Sequence, residues 1–181
     1  TFQGKFKWFI FEMANTYSQA FKDLGVLTES QMARMEDGKL LADLCLGLEE
    51  GIISASEPKL TKIYKDFDIN FTSEAQLGNS IRTAIDRTIE YKDAIGEELA
   101  KKYQFYCLAL AFAHIEHPLP SCQQIFYSNG NGIANPQTAR EKLARLAEAA
   151  ASKNSNGDPQ LAEFITASSK TTDRKEQREI R

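Results

Sequence analysis

Apolar residues return every three or four positions along nearly the whole of this chain, and no stretch alternates apolar with polar residues over a strand's length. That spacing gives a series of helices one apolar stripe each and leaves no half-buried sheet to build. Phe6, Phe9, Ile10, Met13, Tyr17, Ala20 and Phe21 predict a helix over residues 4–23, ended by Gly25. Thr28 followed by Gln31 has the form of a capping box and starts a short helix carrying Met32 and Met35. Residues 37–50 continue or restart as a helix with Leu40, Leu41, Leu44, Cys45 and Leu48 on its stripe, and Gly51 stops it.

The same spacing continues down the chain. Ser56 caps a helix with Glu57 and Pro58 in its first turn and Leu60, Ile63, Tyr64 and Phe67 inward. Thr72 or Ser73 opens a long helix with Leu77, Ile81, Ala84, Ile85, Thr88 and Ile89 inward. Gly96 marks a bend or boundary, and the next helix is expected over 97–116, with Tyr103, Tyr106, Cys107, Leu110, Ala111 and His114 inward. Pro118 and Pro120 break it. "YSNGNGIANP" is the strongest turn signal in the chain. Asn135 then caps a helix with Pro136 at its first position, and Asp158 with Pro159 starts another through about residue 167. Only "GIISAS" and "QQIFYS" lean towards strand. The fold class expected is all-α, an irregular bundle of seven or eight helices forming one domain over residues 1–181.

The length of 181 residues suits one domain with a sizeable core. A net charge of -3 lacks the basic excess of a dedicated nucleic-acid binder and leaves room for a local basic patch. Three cysteines without close pairs argue against a disulfide framework and for a reducing compartment. No signal peptide is visible, and no apolar run approaches the ~18 residues of a membrane span. The expected location is the cytoplasm, with no membrane partner. The chain begins at Thr1 and closes on the charged run "KTTDRKEQREIR". It therefore reads as a piece of a longer protein, with residues 168–181 as the start of a following segment.

"RMEDGKLLADLC" at 34–45 sets five charged side chains, Arg34, Glu36, Asp37, Lys39 and Asp43, around an apolar stripe. Asp37 is expected as a helix-start carboxylate, Met35, Leu40, Leu41, Leu44 and Cys45 as core, and Asp43 as solvated. Arg34 is expected to pair with a nearby acid or with another domain. Glu36, Asp37, Asp43, Glu49 and Glu50 show no two-metal spacing, so a solvated face is the favoured reading.

His114, His117 and Cys122, preceded by Cys107, form C-x6-H-x2-H-x4-C and are the candidate metal ligands. The alternative packs Cys107 as a small apolar residue and sets the histidines at a helix C-terminus, where the dipole favours them. "NGNG" at 129–132 either offers backbone N–H groups to a phosphate or is a plain turn. Lys170, Arg174, Lys175, Arg178 and Arg181 are the candidate nucleic-acid contacts, weighed against a solvated helix that packs on other sequence. No nucleophile motif and no phosphate-binding loop occurs, so no catalytic residue is assigned.

Four stretches carry a resemblance. "TFQGKFKWFIFEMA" is followed by "GVLTESQMARMEDGKLLADLCLGLEEGI", then "KLTKIYKDFD", and the chain closes on "TASSKTTDRKEQREIR". The pattern resembles the helical region of the ParB/sulfiredoxin-like DUF-type nuclease family, which includes the GmrSD-like type IV restriction systems. The positions matching it are Arg34, Met35 and Asp37 before the leucine-rich helix, and the run from Leu60 to Tyr64. The resemblance implies a nucleotide-dependent DNA endonuclease that acts against modified or foreign DNA. Family members carry a separate N-terminal catalytic domain with a D-G-x-Q-R-type motif. That motif is missing here: Asp37-Gly38 continues Lys39-Leu40. The expected role is therefore a helical accessory domain, non-catalytic and without a cofactor of its own. The nucleoside triphosphate and divalent metal would belong to the parent protein. The expected partners are the N-terminal catalytic domain of the same chain, DNA, and a second copy in a homo-oligomer. Two alternatives stand beside it, a nucleic-acid-binding module using the C-terminal basic residues, and a protein-interaction or oligomerisation scaffold.

Overall fold

The computed structural model describes residues 4–54, 56–119, 122–123, 126–169 and 174–181. The described residues form ten helices and no strand. They are α1 (Lys5–Asp23), α2 (Glu29–Met32), α3 (Glu36–Glu50), α4 (Glu57–Ile69), α5 (Glu74–Glu90), α6 (Lys92–Ala100), α7 (Lys102–Glu116), α8 (Pro136–Ser152), α9 (Pro159–Ser168) and α10 (Lys175–Ile180). Eight have seven or more residues, and the all-α fold agrees with the periodicity.

Local signals fix most of the ends. Gly25 takes a φ of 75°, and the N–H groups of Gly25 and Val26 close on the carbonyls of Lys22 and Phe21. This is the paired bonding by which a left-handed residue satisfies the last carbonyls of a helix. The Thr28–Gln31 box forms in both directions. Asn135 caps Thr138, and Asp158 caps Gln160 and Leu161.

Two boundaries differ from the periodicity. A single helix over 97–116 is replaced by α6 and α7, with a break inside α6 at Gly96 (φ 55°) and a turn at Lys101. Leu99 and Ala100 are buried beside α8, whereas Phe105 is buried beside α1, and one straight helix cannot serve both sides. α10, expected as a solvated helix, docks on the bundle.

Two apolar clusters result. The larger joins α1, α3, α5 and α7 around Phe21, Leu41, Leu44, Ile81, Ile85 and Phe105. The smaller gathers Tyr91, Ile95, Leu99, Phe112, Ala150 and Phe164. α7 belongs to both, because Phe105, Tyr106 and Leu110 face one and Phe112 stacks on Tyr91 in the other.

α3 and α7 approach at Gly47. A Cβ there would lie 2.6 Å from the Tyr106 hydroxyl and 2.8 Å from a methyl of Leu110. Both neighbours are buried and cannot swing away. Gly47→Ala is expected to cost about 1–3 kcal/mol by overpacking, a loss that outweighs the ~1 kcal/mol helix-propensity gain at the upper end of that range. The Tyr106 hydroxyl has no hydrogen-bond partner among the described residues. Tyr106→Phe is therefore expected to raise stability by about 1 kcal/mol, and to offset part of the Gly47→Ala loss. Urea denaturation of the two single variants and the double variant measures all three.

Candidate functional site

The "RMEDGKLLADLC" run splits into parts with separate jobs. Met35 precedes α3 in the left-handed region (φ 59°) and is 65% exposed, which corrects its expected place in the core. It occupies the cap position, where the chain turns before any helix face is defined. Leu40, Leu41, Leu44 and Cys45 are buried as expected. Arg34 does not pair with an acid among the bonds seen; its guanidinium donates to the carbonyl and hydroxyl of Ser30. Asp37 lies in the first turn of α3 and accepts from the N–H of Gly38. Glu36 takes Lys102 at 2.6 Å and Lys39 at 3.2 Å, joining the start of α3 to the start of α7. The hydrogen bond from Lys102 chiefly holds the Glu36 carboxyl below its ordinary range.

Asp43 is the second correction. Its side chain is 15% exposed and receives both arms of Arg178, whose side chain is 2% exposed. Nη1 and Nη2 of Arg178 lie 3.2 and 2.5 Å from the two carboxylate oxygens. Nη1 also donates to the Ile53 carbonyl at 3.1 Å, and the guanidinium carbon sits 3.9 Å above the Tyr106 ring. A bidentate pair with a stacked ring is a demanding geometry that arginine alone supplies. The pair spans 135 residues.

The rest of α10 is tied down around that contact. The Lys175 N–H donates to the Ser54 hydroxyl, and its ammonium meets Glu179 at 3.5 Å. The Cys107 thiol donates to the Arg178 carbonyl. Arg181 donates twice to the Ala167 carbonyl and lies over Tyr103. Of the five basic residues expected on a phosphate-facing surface, Arg178 is therefore inside the fold and Arg181 is engaged by α9. Arg174 and Lys175 are exposed, and Lys170 lies outside the described residues.

Histidines and cysteines do not converge. Leu119 N–H donates to Nδ1 of His114, so Nε2 carries the proton and donates to the Phe126 carbonyl. Both ring nitrogens are spent on fastening the segment after α7. His117 is exposed, and Cys122 is buried with its thiol free. No group of three or more His, Cys, Asp or Glu side chains among the described residues is placed to hold a metal ion. In "NGNG", the N–H groups of Gly130, Asn131 and Gly132 bind Ser128, Asn129 and the Ile115 carbonyl. They form the plain turn and are not turned towards a phosphate.

Tyr64 sets its ring edge-on to Phe6 at 4.9 Å, and burial pushes its hydroxyl up to about 12. Burial also raises the hydroxyls of Tyr17 and Tyr106. The folded chain holds these protons while an unfolded tyrosine releases its own near 10, the ordinary value. Their contribution is thus full below pH 10 and is lost as the pH climbs towards 12. Thermal denaturation from pH 9 to 12 is expected to show that fall, and Tyr64→Phe to make it shallower.

An apolar cleft of about 820 Å³ lies between α7, α8, α10 and the 126–135 loop. Leu108, Ala111 and Ile115 form its floor, and Ala139 and Leu143 one wall. Sequence reasoning placed Ala111 in the core, but it is exposed on this floor. A shallower polar cleft holds Arg82, Arg87, Glu116 and His117, and there Arg87 pairs with Glu90 and Glu116. No helix among the described residues is long and apolar enough to cross a membrane. No family model, no curated protein and no solved structure matches this chain.

Proposed function

We propose that this chain is a helical, non-catalytic module of a ParB-like nucleotide-dependent DNA endonuclease. Its work is to brace the domain that handles nucleotide and metal. One observation supports the reading most. The two most patterned stretches of the resemblance, "RMEDGKLLADLC" and the closing "DRKEQREIR", meet in space through Asp43 and Arg178. The third, Leu60 to Tyr64, packs α4 on α1 through Tyr64 and Phe6. Of the matching positions, Tyr64 fastens α4 to α1, while Arg34 and Asp37 bond within their own turns beside the clamp. The charges of Asp43 and Arg178 are occupied by each other, as befits a module that positions a neighbour.

Two measurements test the reading. Purified protein of this sequence is expected to leave ATP, GTP and DNA unchanged. Turnover at an enzyme-like rate of about 1 s⁻¹ or more would overturn it. The reading frame on the N-terminal side is expected to encode an Asp-Gly-x-Gln-Arg-type motif, and a frame without one would also overturn it.

A further inference from the structure

We infer that the cleft between α7, α8 and α10 is a docking groove for one amphipathic helix of a partner protein, carrying acidic residues beside its apolar stripe. α7 lines the cleft along much of its length. Its run from Phe105 to Ala113 is apolar on every side, the pattern of a helix covered all round. Two sides are covered, by the larger cluster at Phe105 and Leu110 and by the smaller at Phe112. The third side, Leu108, Ala111 and Ile115, faces the cleft; Ala111 is exposed, Ile115 is half-buried, and Leu108 is half-buried where it also packs on the smaller cluster.

The shape of that side selects its occupant. Positions 108, 111 and 115 follow the spacing of a helix-packing seam and span about 10 Å, or two turns. The small Ala111 at the centre lets a second helix axis approach to about 8 Å. Phe126 and the 83% exposed Tyr127 stand at the mouth, apolar anchors of the kind that dominate docked interfaces.

Charge selects further. Lys142 lines the cleft and is exposed. Arg178 and Arg181 line it as well, and among the described lining residues the carboxylate is Glu179, which is met by Lys175. The described lining residues therefore carry a basic excess, on a chain whose net charge is -3. An acidic helix is attracted to it and a basic one repelled. The inference is independent of the nuclease reading, because nucleotide turnover by this chain would sink that reading and leave the groove untouched.

The test uses fluorescence anisotropy with a labelled synthetic helix of about 16 residues, leucines at three-four spacing and glutamates beside them. A second peptide replaces each glutamate by lysine, and a third scrambles the leucine order. The glutamate peptide is expected to bind at least about tenfold more tightly than either control. Ala111→Trp fills the floor and is expected to abolish binding, and Lys142→Glu to reverse the preference between the charged peptides. Both variants lie on the surface and are expected to keep the parent melting temperature, which shows that the fold is intact. Absence of binding, or binding that ignores either substitution, overturns the inference. A concentration-dependent dimer that Ala111→Trp disrupts also overturns it, because a second copy would then be the occupant.

Discussion

Replacing Arg178 by alanine is expected to destabilise the protein by about 3–5 kcal/mol, a fall in melting temperature of roughly 10 °C for a chain of this size. The loss has two parts. The alanine removes the two-armed bond to Asp43, the bond to the Ile53 carbonyl and the stacking on Tyr106. It also leaves Asp43 as a largely buried charge without its partner, and that uncompensated carboxylate carries most of the cost. α10 has six residues, too few to hold a helix unaided. It is expected to leave the bundle, so amide exchange should rise over residues 174–181 before the rest of the chain responds. Asp43→Leu combined with Arg178→Met separates charge from packing. Replacing both partners by apolar groups is expected to recover most of the loss, because no charge is then left buried. Thermal melts of the three variants are the check.

The second large effect lies at the other end. Phe6 has no exposed surface and is the hub of an aromatic cluster. Phe9, Tyr64, Phe67 and Phe71 surround it with ring centroids 4.9 to 6.1 Å away, three of them edge-on. α4 has one buried residue of its own, Ile63, and its hold on α1 runs through this cluster. Phe6→Ala is expected to cost about 3–5 kcal/mol, the usual toll of an aromatic cavity in a core. The damage should be local first, with amide exchange rising over 57–69 ahead of α5 and α7. Trp8, two residues along and 64% exposed, supplies the control. Trp8→Ala is expected to stay within about 0.5 kcal/mol of the parent. Equal losses at the two positions would contradict the burial pattern.

Most helix ends were legible because their causes are local. Gly25, the Thr28–Gln31 pair, Asn135 with Pro136 and Asp158 with Pro159 each act within a few residues of themselves. Met35 and Lys101 escaped, since neither is a residue type that marks a turn; at Lys101 the turn follows from burial on two sides of the molecule. The clamp was hidden for a different reason. A helical wheel places Asp43 away from the leucine stripe and suggests water, but the wheel takes no account of a partner 135 residues away. One signal was available. In "LLADLCLGL" Asp43 is the sole charge among nine residues, and its neighbours on every side of the helix are buried. A carboxylate so placed needs a cation, and Gly47 in the same run marks a close helix approach. Likewise, the carboxylates of this run looked like a cluster in sequence, and the helix aims Glu36 at Lys102 and Asp43 at Arg178.

A double-mutant cycle at Asp43 and Arg178 tests the central claim most directly, that the two stretches which look like a functional signature are two halves of one clamp. Asp43→Ala, Arg178→Ala and the double variant are melted in urea, and the coupling energy is read from the four stabilities. A bidentate, nearly dry pair is expected to couple by about 1.5–3 kcal/mol. Additive losses, with coupling below about 0.5 kcal/mol, would contradict the clamp and free both residues for another role.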